Sequence, residues 1–176
     1  KKAFAGWELK GKKLGVIGLG AIGAEVANAA THLGMEVYGY DPYISVNAAW
    51  RLSRNVKHIT NVDTIFQECD YITVHVPLLE STKGMINKEK LDMMKDGVVI
   101  INVSRGANVN EAALLDALNS GKVKAAGLDV WLSEKDPNWA LASHPAVSCT
   151  PHIGAGTKEA QKRIGAELVD IVENFG

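Results

Sequence analysis

Gly18, Gly20, Gly23 and Asp41 are spaced to hold a dinucleotide, and Arg105, Glu134 and His152 are of the types that do acid–base chemistry on a carboxylate-bearing substrate. The run Gly18-Leu19-Gly20-Ala21-Ile22-Gly23 follows a short apolar segment and opens a helical pattern. In that context the first glycine permits a tight turn, the second lets the backbone approach a pyrophosphate, and the third lets helix and strand pack closely. The helix start then offers unpaired N–H groups and the positive end of its dipole to phosphate oxygens. Asp41 ends the next predicted strand, where a carboxylate accepts both hydroxyl protons of an adenosine ribose. The same charge repels a 2′-phosphate and neither Pro42 nor Tyr43 is basic, so the expected cofactor is NAD and not NADP. The plainer alternative is that the glycines only shape a turn and Asp41 only ends a strand. The order strand, turn, helix, strand, acid favours the dinucleotide.

The second set suits hydride transfer between a 2-hydroxy acid and a 2-keto acid. Arg105 supplies a planar fork for a carboxylate. His152 is a proton donor and acceptor near neutral pH. Glu134 is placed to reach the far ring nitrogen of His152, orienting the ring and favouring its charged form. Taken singly, the arginine could be a surface ion-pair former, the histidine a loop residue and the glutamate merely solvated. Their positions at successive predicted strand ends favour the chemical reading. His75, on a buried strand, is expected to be structural. His32, His58 and His144 lack metal-ligand spacing, so no metal is expected.

These residues must be positioned by a regular alternation of elements. Strands are predicted at residues 14–18, 36–40, 71–76, 97–103 and 124–130, with weaker ones at 56–60 and 146–149. Helices are predicted at 18–34, 62–69 (capped by Asn61), 88–94, 110–118 and 157–174. The strands are apolar on both faces, as in parallel sheets covered by helices on each side. The expectation is an α/β fold: a Rossmann-type doubly wound parallel sheet of about seven strands with helices on both faces, binding ligands beyond the strands' carboxyl ends. Residues 131–145 read as a long irregular connection. The tryptophans are expected in core or interface, with Trp131 on the pocket wall.

Composition is that of a globular protein: 176 residues, 47% hydrophobic, 22% charged, formal net charge -1. It supplies no basic field for nucleic acid or anionic lipid and no run of membrane-spanning length. Cys69 and Cys149 fit neither a disulfide framework nor a metal knuckle, so a cytoplasmic setting is expected.

Several stretches together resemble the D-isomer-specific 2-hydroxy-acid dehydrogenases: residues 8–20, Tyr40-Asp41-Pro42, His75-Val76-Pro77-Leu78, Asn102-Val103-Ser104-Arg105-Gly106, Gly127-Leu128-Asp129-Val130 and Thr150-Pro151-His152-Ile153-Gly154. The stretch Gly154-Ala155-Gly156-Thr157-Lys158-Glu159-Ala160-Gln161 is most similar to the 3-phosphoglycerate dehydrogenase branch. The resemblance implies that Arg105, Glu134 and His152 are catalytic, and that the amides of Ala21 and Ile22 meet the pyrophosphate. It further implies that Val76, Val103, Ser104 and Arg105 line the NAD cleft, that Asp129 holds the nicotinamide carboxamide, and that His152 through Ala155, with Gly154, border the nicotinamide. Two departures bear on loop path: Ala107 stands where the family usually has glycine, and Lys135 where it commonly has proline.

The resemblance also implies that residues 1–176 form the NAD-binding domain and that a discontinuous substrate domain lies outside this chain. Dimerisation through the nucleotide domain and a small 2-hydroxy or 2-keto acid partner follow in the same way. The implied reaction is 3-phosphoglycerate to 3-phosphohydroxypyruvate in serine biosynthesis. The alternatives are a reductase of the glyoxylate, hydroxypyruvate or lactate type, or a non-catalytic NAD(H)-sensing scaffold.

Overall fold

The alternation of apolar runs and capped helices builds one parallel sheet. The computed structural model describes residues 1–175. Its strands are β1 (Lys13–Ile17), β2 (Glu36–Tyr40), β3 (Lys57–His58), β4 (Tyr71–Val74), β5 (Val98–Asn102), β6 (Val123–Leu128) and β7 (Val147–Cys149), in the spatial order β3-β2-β1-β4-β5-β6-β7. Every pairing is parallel. The order reverses between β1 and β4, which opens a crevice at the carboxyl ends of those strands.

The helices are α1 (Ala21–His32), α2 (Val46–Arg51), α3 (Val62–Glu68), α4 (Lys88–Met93), α5 (Glu111–Ser120), α6 (Trp139–Ala142) and α7 (Lys158–Asn174). Side chains of Ser45, Asn61, Asn87, Asn110, Asn138 and Thr157 cap α2 to α7, each accepting an N–H that has no partner inside its helix. The α1 start has no such cap. One core, under α1, gathers Leu14, Val16, Leu19, Ala27, Ala30 and Val37. The larger core on the other face includes Ile17, Ile65, Phe66, Ile72, Ile100 and Leu114. No residue of α7 is buried.

Three features depart from the sequence expectation. Helix α2 was not anticipated, because its apolar residues Val46 and Trp50 face solvent and give no core-facing period. Helix α6 interrupts the expected irregular stretch; it is a single turn, too short for periodicity to show. Of the four tryptophans only Trp131 is buried, while Trp7, Trp50 and Trp139 are exposed.

Candidate functional site

The glycine turn is dictated by sterics at two positions and left open at a third. Gly18 has φ +98, and a Cβ there would lie 2.4 Å from the His75 carbonyl oxygen. A Cβ on Gly23 would lie 1.9 Å from the Gly18 oxygen, so the helix can start this close only without one. Around Gly20, by contrast, a Cβ would meet nothing within 4 Å. The protein's own packing does not demand glycine there. The space in front of it suits a ligand that must touch backbone.

Helix α1 begins at Ala21 with Gly20 at its cap, no side chain capping it and no acid in its first turn. The amides of Ala21 and Ile22 lack intrahelical acceptors, which suits this terminus to an anion. Asp41, at the end of β2, accepts from the Leu19 N–H through Oδ2 and from the Tyr43 N–H through Oδ1, both at 2.9 Å. Each oxygen keeps a lone pair, so the carboxylate is oriented by backbone yet free to accept two further donors. Beside it lies a cavity of about 660 Å³ with Ile17, Phe66, Val76, Leu79 and Met85 among its apolar walls. That size and lining suit a nucleoside with one anchoring acid. These residues therefore fit NAD.

The second cluster follows β5, β6 and β7. Arg105, exposed just past β5, donates through Nη1 to the Ser104 carbonyl at 2.8 Å and makes no ion pair among the described residues. Glu134 Oε1 lies 2.5 Å from His152 Nδ1, with about half of each side chain exposed. The expected pair is thus formed, between loops that follow different strands. His152 has φ +59, the one non-glycine residue in the left-handed region among those described. Such a backbone persists only where surrounding contacts hold it.

Asp129 supplies those contacts. It is buried at the end of β6, and its Oδ1 accepts from the Thr150 hydroxyl (2.6 Å) and the Ile153 N–H (2.8 Å). Its Oδ2 accepts from the Gly154 N–H at 3.1 Å. The chain turns through left-handed His152 to aim two successive N–H groups at this carboxylate. Desolvation works to raise the Asp129 pKa, but the bonds from Thr150, Ile153 and Gly154, with His152 nearby, prevail and hold it below the usual carboxylate range. The sequence signalled Asp129 only as a contact for the cofactor; its grip on residues 150–154 shows only in three dimensions.

The loop carrying Glu134 is clamped from two sides. A Cβ on Gly106 would sit 2.0 Å from the Trp131 carbonyl carbon, so the Arg105 loop and the Glu134 loop touch backbone to backbone. Glu111 Oε2 accepts from the Leu132 N–H at 3.2 Å. Trp131 belongs to the core, and its indole N–H donates to the Thr150 carbonyl at 3.3 Å, tying the start of this loop to the segment that leads to His152. Val76 is half-buried and Val103, Gly154 and Ala155 are exposed, while the Ser104 side chain is buried and engaged with Asn102. His75 is structural as expected: Nε2 lies 2.8 Å from Thr73 Oγ1, and burial lowers its pKa.

A doubly wound sheet with an uncapped glycine turn and an acid after the second strand defines an NAD-type dinucleotide-binding domain. Residues 1–154 match the family described as "D-isomer specific 2-hydroxyacid dehydrogenase, NAD binding domain". The chain belongs to this family, and the domain's cofactor is NAD. It is 48% identical over 173 residues to hydroxypyruvate reductase of Thermotoga maritima, covering 97% of this chain and 55% of that protein. It is 42% identical over 175 residues to D-3-phosphoglycerate dehydrogenase of Bacillus subtilis, covering 99% of this chain and 33% of that one. Among solved structures, D-lactate dehydrogenase of Aquifex aeolicus, complexed with NAD and lactic acid, superposes with a TM-score of 0.87 at 34% identity over 98% of this chain and 56% of that one. The chain thus spans between a third and somewhat over half of these relatives. Among the described residues no helix is long and apolar enough to cross a membrane.

Proposed function

We propose that this chain is the cofactor-binding and catalytic domain of an enzyme that interconverts a D-2-hydroxy acid and its 2-keto acid, with 3-phosphoglycerate as substrate. The observation that carries the reading is the Glu134–His152 pair at 2.5 Å, at the same carboxyl end of the sheet as Arg105, which makes no ion pair among the described residues. Arg105 binds the substrate carboxylate through its fork. Glu134, on Nδ1, orients the imidazole so that Nε2 faces the substrate oxygen. There His152 takes the hydroxyl proton in oxidation and returns it to the carbonyl oxygen in reduction. NAD, held by the amides of Ala21 and Ile22 and by Asp41, supplies the hydride chemistry when bound. Asp129 retains one lone pair on Oδ2, enough for a carboxamide N–H, while Val76, Val103 and Ala155 border the nicotinamide.

The phosphoglycerate substrate is favoured by the stretch at residues 154–161 and by the 42% identity to the Bacillus enzyme. The 48% identity to a hydroxypyruvate reductase favours a smaller, uncharged distal group as the second reading. An intact Arg105, Glu134 and His152 set speaks against a purely NAD-sensing scaffold. With Arg105 exposed and the Glu134–His152 pair half open to water, the 176-residue chain alone is expected to bind NAD(H) and turn over little, because residues outside it would close the site and hold the distal group.

Two measurements test this. Calorimetric titration should show NAD+ binding that weakens by about 1–3 kcal/mol in Asp41→Ala, and tighter binding of NADP+ to the unmutated chain would overturn the cofactor geometry. The full-length gene product, assayed with a panel of 2-hydroxy acids, should prefer 3-phosphoglycerate. Preference for D-glycerate would favour the second reading, and no turnover of any would favour the scaffold.

A further inference from the structure

Nothing in the motif spacing singles out Asn108, yet it is wholly enclosed, at 0% exposure in the three-ten turn Gly106–Asn108 that follows Arg105. Its side-chain Nδ2 donates to the Val76 carbonyl at 3.0 Å and to Ser104 Oγ at 3.1 Å. Ser104 Oγ donates onward to Asn102 Oδ1 at 2.8 Å. Asn102 Nδ2 donates to the Arg105 carbonyl at 3.0 Å, and the backbone N–H of Asn108 donates to that same carbonyl at 3.1 Å. The bonds close into a circuit, Asn108 to Ser104 to Asn102 to the Arg105 peptide and back. The Asn108 side chain ties it outward to Val76, past the end of the neighbouring strand β4, and its backbone is held as well, with the Ile86 N–H donating to the Asn108 carbonyl at 3.2 Å and the Asp129 N–H to the Asn102 carbonyl at 3.1 Å.

The circuit has a cost. Asn108 Oδ1 is buried without a partner. Exchanging the amide's oxygen and nitrogen would set Oδ1 against the Val76 carbonyl, two acceptors facing each other, so the orientation is forced. Ile86 and Val109, next to this turn, are themselves buried. A leucine has the same branched shape, though it is larger, and would leave no orphaned oxygen, so burial alone would favour an apolar residue here. What an apolar residue lacks is the two donated bonds, and both end on backbone or side chains that frame Arg105.

We infer that Asn108 is a positioning residue: through the closed circuit it fixes the Arg105 peptide relative to Val76 and so sets where the guanidinium meets substrate. The inference rests on the proposed role of Arg105, but its first test does not. In the 15N-labelled 176-residue chain, the two Asn108 side-chain amide protons should be well separated and slow to exchange. In Asn108→Leu, the backbone amides of Ser104 and residue 108, which donate to Asn102 Oδ1 and the Arg105 carbonyl, should exchange about tenfold faster, as expected when a local opening loses a hydrogen bond or two, while β1 and β4 keep their wild-type rates. A merely structural role would instead speed exchange across the sheet together with a lower unfolding midpoint, and either that pattern or rates at the residue 104 and 108 amides within twofold of wild type overturns the inference. Should Asn108→Leu not fold, Ser104→Ala cuts the same circuit while sparing the Val76 bond; it should loosen Arg105 to a smaller extent, and an unchanged Arg105 sinks the proposal. Titrating oxalate into the NADH-bound wild type while watching the Arg105 Nε resonance tests the other premise. A shift supports Arg105 as the carboxylate holder; no shift removes that role and with it the substrate-setting part of the inference, whereas the exchange result alone decides whether Asn108 orders Arg105.

Discussion

The glycine turn and the Glu134–His152 corner both lie beyond the carboxyl ends of one sheet's strands but are held by different forces. The turn is shaped by steric exclusion: at Gly18 and Gly23 a single added carbon would overlap backbone. The corner is shaped by polar attachment: Asp129 grips three donors and bends His152 into a left-handed backbone that its side chain would otherwise disfavour. Steric exclusion is written in residue type at each position. Polar attachment needs partners brought together from separate strands.

The sharpest way to break this contrast is Gly23→Ala. With a Cβ 1.9 Å from the Gly18 oxygen, it should destabilise the domain by ~3 kcal/mol or more in a denaturant titration and abolish NAD binding. A near-wild-type midpoint would mean that the turn yields, and the steric account would be lost.

Asp129→Asn attacks the other side of the comparison. An amide cannot accept from all three donors, and its own NH2 would face one of them, so a loss of about 1–3 kcal/mol is expected, with new mobility confined to residues 150–154. The pH dependence follows the same logic. Because the folded-state pKa is depressed, the Asp129 contribution is complete above its ordinary value, near ~3.9, and fades as pH falls through the lower folded value. The acid limb of the stability curve should therefore flatten in Asp129→Asn; an unchanged limb would show that the loop does not depend on this carboxylate.

Gly20→Ala sharpens the contrast within the turn itself. Open space around that Cβ predicts an unfolding midpoint close to wild type, together with NAD affinity reduced about tenfold, or roughly 1.4 kcal/mol. Equal binding by the two proteins would count against a pyrophosphate in front of Gly20. The smallest effect is expected for Ala107→Gly. Ala107 is not at positive φ, so restoring the family's usual glycine adds only unfolded-state freedom and should cost about 0.4–1 kcal/mol. A stabilised variant would reveal strain in that turn.

Most of the sheet was legible from runs of apolar residues, because a strand buried on both faces needs them whatever lies beside it. Strand ends were less legible. β4 stops at Val74 and β6 at Leu128, two residues short of expectation, although Val76 and Val130 continue the apolar pattern. Hydrogen-bonded pairing ends where the neighbouring strand ends, which hydrophobicity does not register. The site divided in the same way. Gly18, Gly20, Gly23 and Asp41 announce themselves by type and order, and Arg105, Glu134 and His152 by type and by their places at strand ends. Asn108, Glu111 and the second function of Asp129 carry no such signal, since Asn, Glu and Asp are ordinary at turns and helix starts.

By itself, the sequence determined the alternating parallel fold, the glycine turn and the acid that follows it. Each of those depends on the conformational limits of single residues or on burial periods within one segment. The tertiary structure alone decided that Asp129 braces the His152 turn, that Gly106 lets two loops meet at the backbone, and that Asn108 closes a ring around Arg105. Hydrogen bonds and backbone contacts of this kind join atoms far apart in the chain, and only the packed sheet brings them within reach.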